Sequence, residues 1–284
     1  MSLTTAPPGS TAPSPTAPAG SAAPASRRWI YVVLHTAGRR VLAEPGGLLV
    51  SLVFYGLVVA VLAGLWSAAA EANGGTVAGY TAIALTWYIA VSEAATVSLN
   101  IRMIDDIGRD IGGGAVAVEL LRPASVLGVR MVSELGRALP RLAGCMAAGA
   151  LLATATAGGP PRPAALALTV PSLVLALMCN IAAQHAFAAS AFWLRDAGTA
   201  WFLYQKLVFV LGGMLIPLEV LPGWLGRAAA LLPFRAMAYA PARLASGHME
   251  PVLLLEQLGW LAALVVGAGL VFRAGQRRLQ VVGG

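Results

Sequence analysis

The sequence predicts an all-α membrane protein with six transmembrane helices, and three observations lead there. Hydrophobic residues make up 58% of the 284 residues and charged residues only 11%. Mean hydropathy is +0.77. Between Gly46 and Phe272, six long apolar stretches are separated by short polar or Gly/Pro-rich breaks. A helix needs about 20 apolar residues to cross the hydrocarbon layer. Inside that layer every backbone polar group must be satisfied within the segment, so the runs are helices and not strands. Six such spans use up nearly the whole length, which leaves no room for a separate soluble domain.

The elements follow in chain order. Residues 1–26 carry Pro7, Pro8, Pro13, Pro15, Pro18 and Pro24 among Ala, Ser and Thr, without a charged side chain. Such a segment cannot bury enough apolar surface to offset its ordering entropy, so a disordered tail is expected. It lacks the basic start and apolar core of a cleaved leader. Residues 27–284 form a single six-span domain. Arg27 to Glu44 is amphipathic, with Trp29, Val33, Ala37 and Val41 every fourth position and Arg28, Arg39 and Arg40 as charge. That suits a helix lying in the headgroup layer. Pro45 and Gly46 break it, and the first span runs from Gly47 to Trp66. After the turn Glu71–Gly75, the second span covers Val77 to Ile101. A polar segment, Arg102 to Arg122, precedes the third span, Arg137 to Ala157. Gly158-Gly-Pro-Pro-Arg-Pro163 breaks it. The fourth span is Ala164 to Phe192, and the fifth run, Trp201 to Ile216, is short for a full crossing. The sixth, Val252 to Phe272, ends in a basic tail, Arg273 to Gln280.

Lysine and arginine set the orientation. With the amino terminus inside, the inner segments hold Arg27, Arg28, Arg39, Arg40, Arg102, Arg109, Arg122, Arg130, Arg195, Lys206, Arg273, Arg277 and Arg278. The outer ones hold Arg162, Arg227, Arg235 and Arg243, so both termini are expected on the cytoplasmic side of a prokaryotic inner membrane. The formal charge of +7 is therefore explained by topology at the lipid bilayer, and no nucleic-acid partner is implied. No G-x-x-x-x-G-K-[S/T] phosphate loop occurs, so ATP-driven work has to come from a partner. Cys145 and Cys179 lie in apolar runs and read as small hydrophobes, with no metal site.

Two segments stand out. In Asn100–Ile111, Ile101, Ile104, Ile107 and Ile111 share one helical face, while Arg102, Asp105, Asp106, Arg109 and Asp110 cover the other. Arg102–Asp106 and Asp105–Arg109 are spaced for i,i+4 ion pairs. The segment is either an interfacial connector or a docking helix for a cytoplasmic protein. The second segment starts at Gly212-Gly213 and continues through Pro217, Leu221, Pro222 and Trp224 to Phe234 and Tyr239-Ala-Pro241. Proline breaks in a stretch still apolar suggest helices that enter the membrane from outside and turn back; the alternative is an outer loop with an interfacial helix, Trp224–Leu232. The re-entrant reading makes Gly212, Gly213, Pro217, Leu221, Pro222 and Trp224 an outer gate, with Glu219 at its wet edge. Polar residues within spans are Glu93, Glu134, Asn180, Gln184, His185 and Gln257. Glu93 lies near enough to its helix end to reach the interface, and Asn180 and Gln184 share a face suited to interhelical hydrogen bonds. No nucleophile–base or paired-acid arrangement is present, so a catalytic role is not expected.

Glu119-Leu-Leu-Arg-Pro123, Phe192-Trp-Leu-Arg195, Pro217-x4-Pro222-x-Trp224, Leu232-Pro-Phe234 and Tyr239-Ala-Pro-Ala-Arg-Leu-Ala-Ser-Gly247 occur in that order. Together they resemble permease subunits of type-2 ATP-binding-cassette (ABC) exporters, in the branch of drug and natural-product efflux. The resemblance covers Arg27 to Gly284. It implies that Arg27–Glu44 is an elbow helix on the inner leaflet and that Ile101–Ile111 is the coupling helix. Arg102, Ile104, Asp105, Asp106, Ile107, Arg109 and Asp110 then meet the ATPase, and Pro217–Leu244 supplies outer re-entrant helices. It also implies two P-loop ATPase subunits, carrying ATP and Mg on their own chains, and a second permease, with a heterodimer favoured over a homodimer. The expected cargo is a small hydrophobic or amphipathic drug, natural product or lipid. An ion-coupled secondary transporter is the alternative; it needs ionisable groups near the midplane and usually internal repeats, and neither stands out. An integral membrane enzyme lacks its polar cluster.

Overall fold

The structure, a computed structural model, describes residues 28–115, 125–194 and 198–282. The tail at 1–26, the Glu119–Pro123 motif and Arg195 lie outside the described residues. Helix α1 (Arg28–Ala43) leads into α2 (Pro45–Ala72), whose first residue is a proline preset for helix entry. α2 continues past Trp66 because nothing interrupts it before Asn73-Gly74-Gly75. A small hairpin follows, in which β1 (Thr76–Val77) pairs antiparallel with β2 (Tyr80–Thr81). Its turn uses Ala78 at φ 49° and Gly79 at φ 85°. The start of the expected second span is therefore a hairpin, and α3 (Ala82–Val97) begins only where the Thr81 side chain accepts from Ala84 N.

α4 (Met103–Gly112) is next, then α5 (Val126–Thr156). α5 starts at Val126 and not at Arg137. Its polar first turns, outside the expected span, are helical too, and Arg137 pairs there with Glu134 at 2.5 Å. Ser125 caps it, accepting from Gly128 N at 3.2 Å. α6 (Leu166–Ala188) is flanked by short turns at Pro163–Ala165 and Ala189–Phe192. α7 (Gly198–Leu211) stops before Gly212, short of Ile216. Beyond it come α8 (Gly223–Ala230), α9 (Tyr239–Ala245) and α10 (Val252–Val282). The basic segment after Phe272 thus remains helical; its turns pack on the Ala189–Phe192 turn, which an unfolded tail could not do.

Pro45–Ala72, Val126–Thr156, Pro163–Phe192 and Val252–Arg277 are long and apolar enough to cross a membrane. α3, at 16 residues, and α7, at 14, rise roughly 24 and 21 Å at 1.5 Å per residue. Both fall below a hydrocarbon core of about 30 Å. α3 tolerates this because it is a central helix: every residue from Ala84 to Ala95 is buried, packed by α2, α5, α6 and α9.

α2, α3, α5, α6, α7 and α10 alternate in direction, giving the bundle two ends. One end gathers α4, the Ala189–Phe192 turn and the last turns of α10. The other gathers the hairpin, the 158–165 connection and the 212–250 segment, joined by Trp87 Nε1 donating to Gly158 O at 3.2 Å and Trp66 Nε1 to Leu215 O at 3.1 Å. α1 lies along α5, and its Ala37–Gly38 step is buried there while Ile30, Tyr31, Val32 and Leu42 are exposed. The helices touch closely: a Cβ on Gly136 would sit 2.5 Å from Leu34 O.

Candidate functional site

α4 sorts its residues as an amphipathic helix must. Met103, Ile104, Ile107, Gly108 and Ile111 are buried against α6, α7 and the Ala189–Phe192 turn. Ile104 and Ile107, expected on a docking surface, are therefore part of this chain's own core. Arg102 and Arg109 are exposed, and Asp105, Asp106 and Asp110 half-buried. Ile101, just before the helix, is the isoleucine that remains exposed. The i,i+4 pairings give way to others. Arg109 pairs with Asp106 at 2.5 Å, and Asp106 also accepts from Asn100 Nδ2 at 3.1 Å. Asp110 is held by Arg130 of α5 at 2.7 Å. Surface pairs of this kind contribute little stability, so what they fix is the layout of charge.

A hydrogen bond ties the α4 end to α7: Trp201 Nε1 donates to Ile101 O at 2.6 Å. Further along α7, Tyr204 donates to Asn180 Oδ1 of α6, which also accepts from Gln184 Nε2 at 3.0 Å. The Asn180–Gln184 bond is thus within one helix, and the interhelical partner is Tyr204. Gln257 of α10 makes another link, donating to Ala236 O at 2.9 Å and accepting from Ser172 at 2.8 Å. Between α2, α3, α6 and α7 lies a cavity of about 620 Å³. It reaches from Asn100, Ile101 and Trp201 at one end to Met214 and Leu215 at the other, with Val50, Phe54, Val58 and Val208 along its walls. Glu93 borders it. This carboxylate is buried in the bundle, and among the described residues its Oε1 has no hydrogen-bond partner.

At the far end, α7 breaks at Gly212-Gly213. Gly213 adopts φ +65°, and a Cβ there would stand 3.0 Å from Tyr88 Oη. The carbonyls freed by the break are met by side chains: Tyr88 donates to Gly213 O, Ser92 to Met214 O at 2.8 Å and Trp66 to Leu215 O. Gly212, Gly213 and Pro217 are buried, Leu221 is half-buried, and Pro222 and Trp224 are exposed. Leu218, Ala229 and Phe234 join the core, so the segment is packed onto the bundle. Glu219 is exposed but not free: it pairs with Arg243 at 3.0 Å and accepts from Tyr239 at 2.6 Å. Arg243 also holds Glu250 at 3.1 Å and donates to Tyr80 of the hairpin at 2.5 Å. Burial and then the Arg243 charge hold the nearby His248 imidazole below its ordinary value. Tyr88, Ser92, Trp66, Trp201 and Arg243 were not singled out from sequence, because each reads as an ordinary aromatic, small or basic residue until its distant carbonyl or carboxylate partner is known.

The long apolar helices fit a multi-pass, membrane-embedded protein. The model of the family described as ABC-2 family transporter protein matches residues 48–283, and the chain belongs to that family. Permeases of the family work with an ATPase partner. No curated protein matches the chain.

Proposed function

We propose that the chain is the transmembrane subunit of an ABC exporter, carrying small hydrophobic or amphipathic compounds outward with the energy of a separate ATPase. The observation that carries this reading is the cavity, which runs from the α4 end to the broken end of α7. α4 offers the ATPase its charged face, Arg102, Asp105, Asp106, Arg109 and Asp110, together with Ile101. Its apolar face is seated in the bundle, so a push on α4 is delivered to α6 and α7 and not absorbed by a loose loop. Trp201 passes the displacement into α7, which stops at Leu211, where the 212–239 segment begins. That segment acts as the outer gate of the path. Irregular backbone at membrane depth survives only where protein satisfies it, and Tyr88, Ser92 and Trp66 do so here. In this reading α3 and α7 complete a six-span bundle with their adjoining turns, α1 is the elbow helix, both termini are cytoplasmic and a second, different permease closes the path.

Everted membrane vesicles containing the chain and its ATPase test the reading. ATP should drive accumulation of an amphipathic fluorescent dye, and accumulation should persist when ionophores collapse the proton and sodium gradients. Transport that needs a gradient and ignores ATP would mean an ion-coupled carrier.

A further inference from the structure

Several polar groups around the cavity are already engaged within the protein. Asn180 is engaged by Gln184 and Tyr204, Ser51 donates to Gly47 O, and the Thr96 hydroxyl donates to Ser92 O at 3.1 Å. Glu93 differs. It is 3% exposed, its Oε1 is unpartnered, and among the described residues no cation is paired with it. A buried carboxylate without a partner in a membrane protein is costly to maintain and marks a place where a ligand supplies the missing charge or donor. Arg141, the other charged residue on the cavity, lies on α5, and among the described residues it forms no ion pair with Glu93. A second observation points the same way. Exposed Phe54, half-buried Trp201 and buried Tyr204 line the same space, and aromatic faces attract organic cations.

We propose that Glu93 and this aromatic wall make the cavity a site for amphipathic cations, compounds with an amine or quaternary centre on an apolar body. The positive centre sits against the Glu93 carboxylate, and the body lies against Phe54 and Trp201. This deepens the exporter reading and rests on it for the statement that the bound compound is cargo.

Tetraphenylphosphonium and tetraphenylborate test the site, since they share four phenyl rings and differ in the sign of charge. Equilibrium dialysis without nucleotide, on the purified permease–ATPase complex in nanodiscs and against empty nanodiscs, should show tighter binding of the cation. Glu93→Gln should weaken tetraphenylphosphonium at least about tenfold while leaving tetraphenylborate unchanged or stronger. Glu93→Asp should keep the preference. Phe54→Leu, which leaves the carboxylate in place, should weaken the cation several-fold and not the anion, and so supports the site even if Glu93→Gln does not fold. Equal effects on both ions, or a wild-type preference for tetraphenylborate, would overturn the proposal. Because binding is read without ATP, the two readings can fail separately. Charge-selective binding with no ATP-driven movement removes the exporter and spares the site. ATP-driven movement with no charge preference does the reverse.

Discussion

Single residues settle where this bundle can tolerate change. Gly213 is fixed by its left-handed backbone and by the Tyr88 hydroxyl beside it. Gly213→Ala should cost about 1–3 kcal/mol through strain and crowding, read as a lower melting temperature of the purified protein. Gly223, whose added Cβ meets nothing within 4 Å, provides the silent control as Gly223→Ala. His248 gives a pH prediction with a definite sign. Its folded-state value is depressed below the ordinary 6.5 by burial and Arg243. The unfolded or opened loop therefore binds the proton more readily, so stability is full above that value and is lost as pH falls through the folded one. Hydrogen exchange of the 246–250 amides, corrected for intrinsic rates, should speed up on acidification, and His248→Ala should remove that dependence. Glu93 shows the limit of reading at this scale. Sequence marks it as an intramembrane acid, but whether it reaches water or faces a cavity depends on α2 and α7, which lie far from it in the chain.

At the scale of elements, legibility followed the length and continuity of the apolar runs. α2, the stretch around α6 and most of α10 are visible in sequence because about 20 apolar residues in a row admit few alternatives. The start of α5 is not, because Arg130, Glu134 and Arg137 interrupt the apolar run over three helical turns, and the Asp110 that holds Arg130 lies on another element. The isoleucine period identifies the two faces of α4 from Ile104 onward, while Ile101 falls before the helix and is exposed; only packing decides that the isoleucine face turns inward. Its ion pairs were missed because Asp106 and Asp110 are claimed by Arg109 and Arg130. This division yields a contrast. Ile107→Ser should destabilise the protein by about 2–5 kcal/mol, as loss of a buried aliphatic group does. Exchanging Asp106→Arg with Arg109→Asp should leave the melting temperature nearly unchanged while weakening association with the ATPase. A swap that alters neither association nor transport would make α4 a connector only.

For the whole molecule, six alternating helices bring α4, the last turns of α10 and the first turns of α5 to one end, with the hairpin and the 212–250 segment at the other. The proposed topology, which rests on the arginine asymmetry, puts the α4 end on the cytoplasmic side. Both native cysteines are buried, so a membrane-impermeant maleimide on intact cells can test this assignment cleanly. Gly159→Cys, at an exposed site with open space, should react. Ala274→Cys should not; it is exposed on α10, whereas a side chain at Gly275 would collide with Phe192. The central claim is that this bundle is driven by a separate ATPase docked on α4. Purification of the chain from its native membrane, with mass spectrometry of what accompanies it and an ATPase assay in lipid, tests that claim most directly. The account predicts a stable complex with a P-loop ATPase that hydrolyses ATP, and loss of that subunit on the Asp106/Arg109 charge exchange. A chain that purifies without any ATPase while its transport continues on an ion gradient would contradict it.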